Sequence, residues 1–259
     1  MRPIAILLLL AAASFAQQKA RELDLVPRAQ QPTDEQFIAQ TLYPATALLY
    51  SQDESGSMKM TCTATAIEKT PKGYVFVTAS HCACKDLEDK EYAKPEKAFF
   101  YITPDEPGEK QFLKASLVAC GYQHKGDDFA LFDVNTEKAF PVVAIGDDVT
   151  DHAGQPVVNI ASPGGLGRQT FRGAVSAPKL DRSVESGDIS WTGAMLLQLP
   201  GTNGGSSGSA IVCVNQRAIC GFLVGVINET SIVAIPVSKY KAFRKAVDAK
   251  TYKNYHADE

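Results

Sequence analysis

Between Tyr43 and Ile235 the chain is written in short β-favouring runs, and this texture limits the fold more than any other feature. Ala45–Tyr50, Cys62–Glu68, Gly73–Ala79, Ala98–Ile102, Lys114–Gly121 and Phe129–Val134 are runs of this kind. Pro156–Ile160, Thr170–Ala177, Leu196–Leu199, Ala210–Val214, Gly221–Ile227 and Ser231–Ile235 continue the series. Gly, Pro and other turn-setting residues punctuate the intervals. Many short strands with such spacing predict an all-β molecule, built as an antiparallel sandwich or a pair of barrels. No β/α alternation is present, which argues against a doubly wound sheet. The one long helical pattern comes at the C-terminus. In Ser238–Ala249, Tyr240, Phe243 and Val247 recur at i, i+3 and i+7, with Ser238 positioned as a cap. With 259 residues, 45% of them hydrophobic, the chain can fill one large core or two small ones.

Ahead of the β-rich region the sequence changes character twice. Arg2 followed by the apolar run Ile4–Ala13 and by Ser14-Phe15-Ala16 has the form of a signal peptide cut after Ala16. The apolar run is shorter than the about 20 residues a spanning helix needs, so the mature protein is expected to be soluble and secreted or periplasmic. Residues 17–35 are polar with two prolines and read as a flexible leader or pro-segment. Thr33 or Asp34 could cap a short helix over Glu35–Gln40. Residues 250–259 form a tail. The formal net charge of −3 without any Lys/Arg run argues against a nucleic-acid partner. Export bears on the six cysteines, Cys62, Cys82, Cys84, Cys120, Cys213 and Cys220, because an oxidising compartment favours disulfides. Spacing alone does not choose among their connectivities.

Three local patterns occur in the order His, Asp, Ser. Thr78-Ala79-Ser80-His81-Cys82 follows the apolar strand Tyr74–Val77; Asp127-Asp128 enters the apolar run Phe129–Phe132; and Gly204-Gly205-Ser206-Ser207-Gly208-Ser209 precedes Ala210–Val214. Alone, each has a bland reading: a structural histidine, a turn carboxylate, a flexible Gly/Ser loop. Together they supply what acyl transfer needs. A serine hydroxyl requires a base to take its proton and a carboxylate to fix the imidazole tautomer. Backbone donors aimed at the developing oxyanion are worth about 3 to 4 kcal/mol each, and a Gly-x-Ser-Gly turn can present them.

These segments resemble the trypsin-like serine peptidases, in particular the bacterial branch with the HtrA/DegP and glutamyl-endopeptidase types. Weaker matches are residues 141–147, 162–167, 173–176 and 233–236, so the resemblance spans about Ala45 to Pro236. It implies two antiparallel six-stranded β-barrels, the first over residues 43–140 and the second over 141–237, followed by a helix over 238–249. It also implies peptide-bond hydrolysis with polypeptide substrates; no cofactor is expected, and a monomer is expected although the sequence does not reveal the oligomeric state. Ser207, framed by Gly205 and Gly208, takes the nucleophile position, which Ser206 and Ser209 do not fit. His81 is then the base, and Asp128, not Asp127, its orienting carboxylate. The amides of Gly205 and Ser207 form the oxyanion hole.

The resemblance has departures. Ser206 stands where the digestive enzymes carry the acid that pairs with a newly cut N-terminus, so that activation switch is absent. The length after the expected peptidase leaves no room for the PDZ domain of chaperone-type members. Gly201, Thr202, Ile227, Asn228 and Glu229 fall at the specificity pocket, without an acid at the floor position that selects Lys/Arg. Primary specificity therefore stays open. The family's disulfide beside the catalytic His implies Cys62–Cys82. Cys213 and Cys220 flank a hairpin-sized segment, and Cys84–Cys120 remains by subtraction. Two rival readings are a catalytically silent homologue that binds partners and a zinc site drawn from His81, Cys82, Cys84, Cys120 and His124.

Overall fold

The computed structural model describes residues 32–252, except 88–91, 96–98, 105–110, 124–125, 150–152, 182 and 187–188. The signal segment, most of the leader, His124 and residues 253–259 lie outside the described residues. By internal contacts the chain divides into Met1–Phe37 and Ile38–Glu259. In the first unit, Asp34–Phe37 forms a short helix. Thr33 starts it with a reciprocal cap, its Oγ1 accepting from the Gln36 amide and its own amide donating to Gln36 Oε1.

The second unit holds two closed barrels. The first is built from β1 (Thr46–Gln52), β2 (Met58–Thr70), β3 (Gly73–Thr78), β6 (Phe99–Thr103), β7 (Leu113–Cys120) and β8 (Ala130–Asn135), with the hairpin β4 (Cys84–Leu87) and β5 (Tyr92–Pro95) inserted after β3. The second uses β9 (Pro156–Ala161), β10 (Gln169–Ala177), β13 (Met195–Gln198), β14 (Ala210–Cys213), β15 (Ala218–Val226) and β16 (Ser231–Pro236). Here the hairpin β11 (Val184–Ser186) and β12 (Ile189–Trp191) is the insertion. Both barrels close in one order of their own strands, first–second–third–sixth–fifth–fourth, and the pairs within them are antiparallel. The expected two six-stranded antiparallel barrels and terminal helix are present.

The sequence pattern explains the closure. β2 is long enough to pair with β1 over Met58–Thr65 and with β3 from Thr65 onward, and a bulge between Ala66 and Glu68 turns it between the two. In the second barrel Met195, Leu197 and Leu199 alternate inward and join Val157, Val175, Ile211, Leu223 and Ile232 in one core. The helix Val237–Asp248 buries Val237, Tyr240, Phe243 and Val247. Ser238 is not its cap. Pro236 occupies the N-cap position, Ser238 lies inside the first turn, and its amide donates to Asp148 Oδ1 at 2.8 Å, so a carboxylate distant in sequence does the capping.

Three disulfides join Cys62 to Cys82, Cys84 to Cys120 and Cys213 to Cys220, with Cα separations of 6.0, 6.5 and 5.8 Å. Several contacts cross from barrel to barrel. The Phe129 ring meets Phe222, Tyr240 and Phe243 at centroid distances of 5.7, 5.6 and 5.6 Å. Arg168, ahead of β10, donates to the carbonyls of Tyr43 and Thr46 at 2.9 and 3.0 Å.

Candidate active site

His81 sits in a single 3₁₀ turn, Ser80–Cys82, at the end of β3. The turn is held from both sides, by the Cys62–Cys82 disulfide and by Ser80 Oγ donating to the Gly121 carbonyl at 2.7 Å. Asp128 precedes β8 and is fully buried. A buried carboxylate is tolerated only with hydrogen-bond donors, and among the described residues Asp128 has three. The His81 backbone amide donates to Oδ1 at 2.9 Å, His81 Nδ1–H to Oδ2 at 2.7 Å, and Trp191 Nε1–H to Oδ2 at 3.3 Å. Because an ionised carboxylate only accepts, Nδ1 carries the proton and Nε2 of the neutral ring is left with its lone pair. Burial lowers the imidazole pKa, but the charge and hydrogen bond of Asp128 raise it by more, leaving it above the ordinary 6.5.

The Ser207 loop comes from the second barrel and leans on the end of β3. Gly208 has φ +81°, and a Cβ there would lie against Thr78 Oγ1, Ala79 N and the Thr63 carbonyl. Only glycine allows this approach, which brings the residue after Ser207 to within two positions of His81. Thr63 of β2 ties the same loop. Its amide donates to the Ser207 carbonyl at 3.0 Å, and its Oγ1 donates to the Gly205 carbonyl at 2.8 Å while accepting from the Ser162 amide at 3.0 Å.

Two peptide planes in this loop are set by their carbonyls. The Gly204 carbonyl accepts from Gly164 N at 2.7 Å; the Ser206 carbonyl accepts from Ser209 Oγ at 2.7 Å and from Ser209 N at 3.2 Å. In a trans peptide the C=O and N–H point in opposite directions, so these bonds aim the Gly205 and Ser207 amides away from the loop's own anchors. Among the described residues neither of those amides donates a hydrogen bond, whereas those of Ser206, Gly208 and Ser209 do.

A family model for the trypsin-like peptidase domain matches residues 62–226, well over half of the chain. The chain belongs to the trypsin-like peptidase family. Among solved structures, the active form of the Rv3671c protease from M. tuberculosis matches at a TM-score of 0.61 and 14% identity, covering 85% of this chain and 87% of that one. An inactive serine-to-alanine form of the same protein from M. tuberculosis H37Rv gives 0.58 and 13%, covering 82% and 91%. At these identities the likeness is one of fold. A search of curated proteins returns no match.

Other positions singled out in this trypsin-like peptidase form two neighbouring loops. Gly201, at φ +88°, and Thr202, whose Oγ1 donates to the Leu199 carbonyl at 3.0 Å, lie in the turn after β13. Ile227, Asn228 and Glu229 lie in the exposed β15–β16 turn. The Leu199 amide donates to the Thr230 carbonyl at 2.9 Å, which holds the two loops side by side. The Asn228 side chain is used internally: its Oδ1 accepts from Thr230 N, Thr230 Oγ1 and Ser231 N. Ile227 is 51% exposed. Of the zinc set, Cys82, Cys84 and Cys120 are in disulfides and offer no thiolate. Sequence reasoning missed the parts played by Thr63, Gly164 and Trp191; Gly164 lies within the weakly matching segment 162–167, Trp191 stands out as the single tryptophan, and Thr63 carries no signal.

Proposed function

We propose that this protein is an exported serine endopeptidase that cleaves polypeptides through an acyl-enzyme, with Ser207 as nucleophile, His81 as general base and Asp128 as the carboxylate that orients it. The observation that carries this reading is the buried Asp128, bonded through both oxygens to His81 while the Ser207–Gly208 turn packs against the residues leading into that histidine. His81 Nε2 takes the Ser207 proton as Oγ attacks the scissile carbonyl, and Asp128 stabilises the imidazolium that forms. The Gly205 and Ser207 amides receive the oxyanion. His81 then returns the proton to the leaving amine, and a water molecule, activated by the same base, releases the acyl group.

The proposed organisation is a signal peptide over 1–16, a leader over 17–35 and a peptidase domain over 36–249, with Gly201, Thr202 and Ile227–Glu229 bordering the specificity pocket. Three disulfides among the described residues support export. Among those residues no helix is long and apolar enough to cross a membrane. The test is covalent labelling by a fluorophosphonate together with turnover of a peptide library. Ser207→Ala should abolish both, lowering kcat by about 10⁴-fold or more, with the thermal unfolding midpoint unchanged. Labelling retained in that variant sinks the assignment, and an unlabelled wild-type protein points to a catalytically silent homologue.

A further inference from the structure

We propose that Trp191 is a positioning residue of this site: its indole N–H, brought to Asp128 by the β11–β12 hairpin, sets how strongly that carboxylate holds His81. The inference rests on the triad reading above and adds a residue to it. Asp128 is fully buried, and two of its three donors come from His81 itself. The third comes from elsewhere in the chain, Trp191 Nε1 to Oδ2 at 3.3 Å. An indole nitrogen can only donate, so this contact has one polarity.

The surroundings favour this orientation. Trp191 is 2% exposed, and a buried indole N–H without an acceptor is costly. Gly225 of β15 makes the space: a Cβ there would lie 2.8 Å from Trp191 Cη2 and 3.1 Å from Cζ3. Turning the nitrogen toward Asp128 gives the buried N–H its acceptor and adds a third donor to the carboxylate.

The shared acceptor gives the contact its chemistry. Oδ2 receives both His81 Nδ1–H and the indole N–H. Charge drawn to the indole leaves less for the imidazolium, so Trp191 moderates the pull of Asp128 on the His81 proton while restraining the carboxylate. Among the described residues Asp128 is the one charged group acting on His81; Cys62 and Cys82 beside it are in a disulfide and do not titrate, and Asp127 Oδ2 is engaged by the Tyr252 hydroxyl at 3.0 Å. Loss of the indole donor therefore raises the His81 pKa and loosens the base.

Because the chain has a single tryptophan, expression in a tryptophan auxotroph with β-(3-benzothienyl)alanine replaces only this ring, exchanging N–H for sulfur at nearly constant shape. The His81 pKa is read by NMR titration of its imidazole, assigned by its loss in His81→Asn. It should rise by about half a unit or more, and kcat should fall about three- to ten-fold with KM little changed. Trp191→Phe should move the pKa the same way. An unchanged pKa in both proteins overturns the proposal and leaves Trp191 a plug. A shifted pKa in a protein that cleaves no peptide upholds the Trp191–Asp128–His81 coupling and refutes the peptidase reading instead.

Discussion

Burial makes the His81 imidazole harder to charge, and Asp128 more than reverses this through its charge and hydrogen bond. If neutral His81 is the base, the acid limb of kcat/KM has its midpoint above 6.5, with activity rising as pH rises through it. Stability runs the other way. The folded pKa lies above the unfolded value, so the folded state binds the proton more tightly, and the contribution is complete below the unfolded pKa and lost as pH rises through the folded one. A pH–rate profile and urea midpoints over the same range should cross in this manner, and Asp128→Asn should flatten the stability trend. Thr63 acts on the other half of the site. Thr63→Val keeps the shape but leaves the Gly205 carbonyl and Ser162 amide without their partner, and should cost about 1 to 3 kcal/mol and about ten-fold in kcat/KM. Thr63→Ser should restore most of both; equal activity in the two variants would refute the role. Such residues explain what the sequence conceals. His81, Asp128 and the Gly-x-Ser-Gly turn each carry a local pattern, whereas Thr63 reaches Gly205 across 142 positions and Trp191 reaches Asp128 across 63. Neither partner is implied by its neighbours in the chain.

The barrel strands were legible because each holds a run of apolar or β-branched residues between turn signals. The inserted hairpins were not, since Cys84–Leu87 reads CKDL and Val184–Ser186 reads VES, with too little length or contrast to show a period of two. The helix was visible from its buried stripe, but its cap was misassigned because the true partner, Asp148, is 90 positions away. Among the covalent ties, sequence separations of 20, 36 and 7 predict stabilisation of about 3, 4 and 2.5 kcal/mol for Cys62–Cys82, Cys84–Cys120 and Cys213–Cys220 if chain entropy dominates. Paired Cys→Ser variants, compared by urea unfolding, should follow that order. Activity should follow a different one. Removing Cys62–Cys82 frees both the His81 turn and the strand carrying Thr63, so it should lower kcat most, at temperatures where all three variants remain folded. A loss of kcat that merely tracks stability would count against this.

At the scale of the molecule, two barrels of equal strand order are joined by contacts around the candidate site. The Phe129 cluster lies one residue beyond Asp128, Thr63 spans to the serine loop, and Arg244 of the terminal helix reaches Glu68 of the first barrel at 3.1 Å. Each barrel is drawn from one continuous stretch of chain, so none of its strand pairings needs a strand from the other. His81 and Asp128 belong to the first stretch and Ser207 to the second. On the proposed reading the catalytic groups are therefore divided between the two barrels and come together only where the barrels meet. In refolding of the disulfide-intact protein, far-UV signal should recover ahead of peptide cleavage, the lag measuring the docking step. Simultaneous recovery of the two signals would mean that the barrels do not form independently. On the proposed reading the delay has a protective side: half-folded chains are the most cleavable polypeptides nearby, and a copy still assembling cannot cut them.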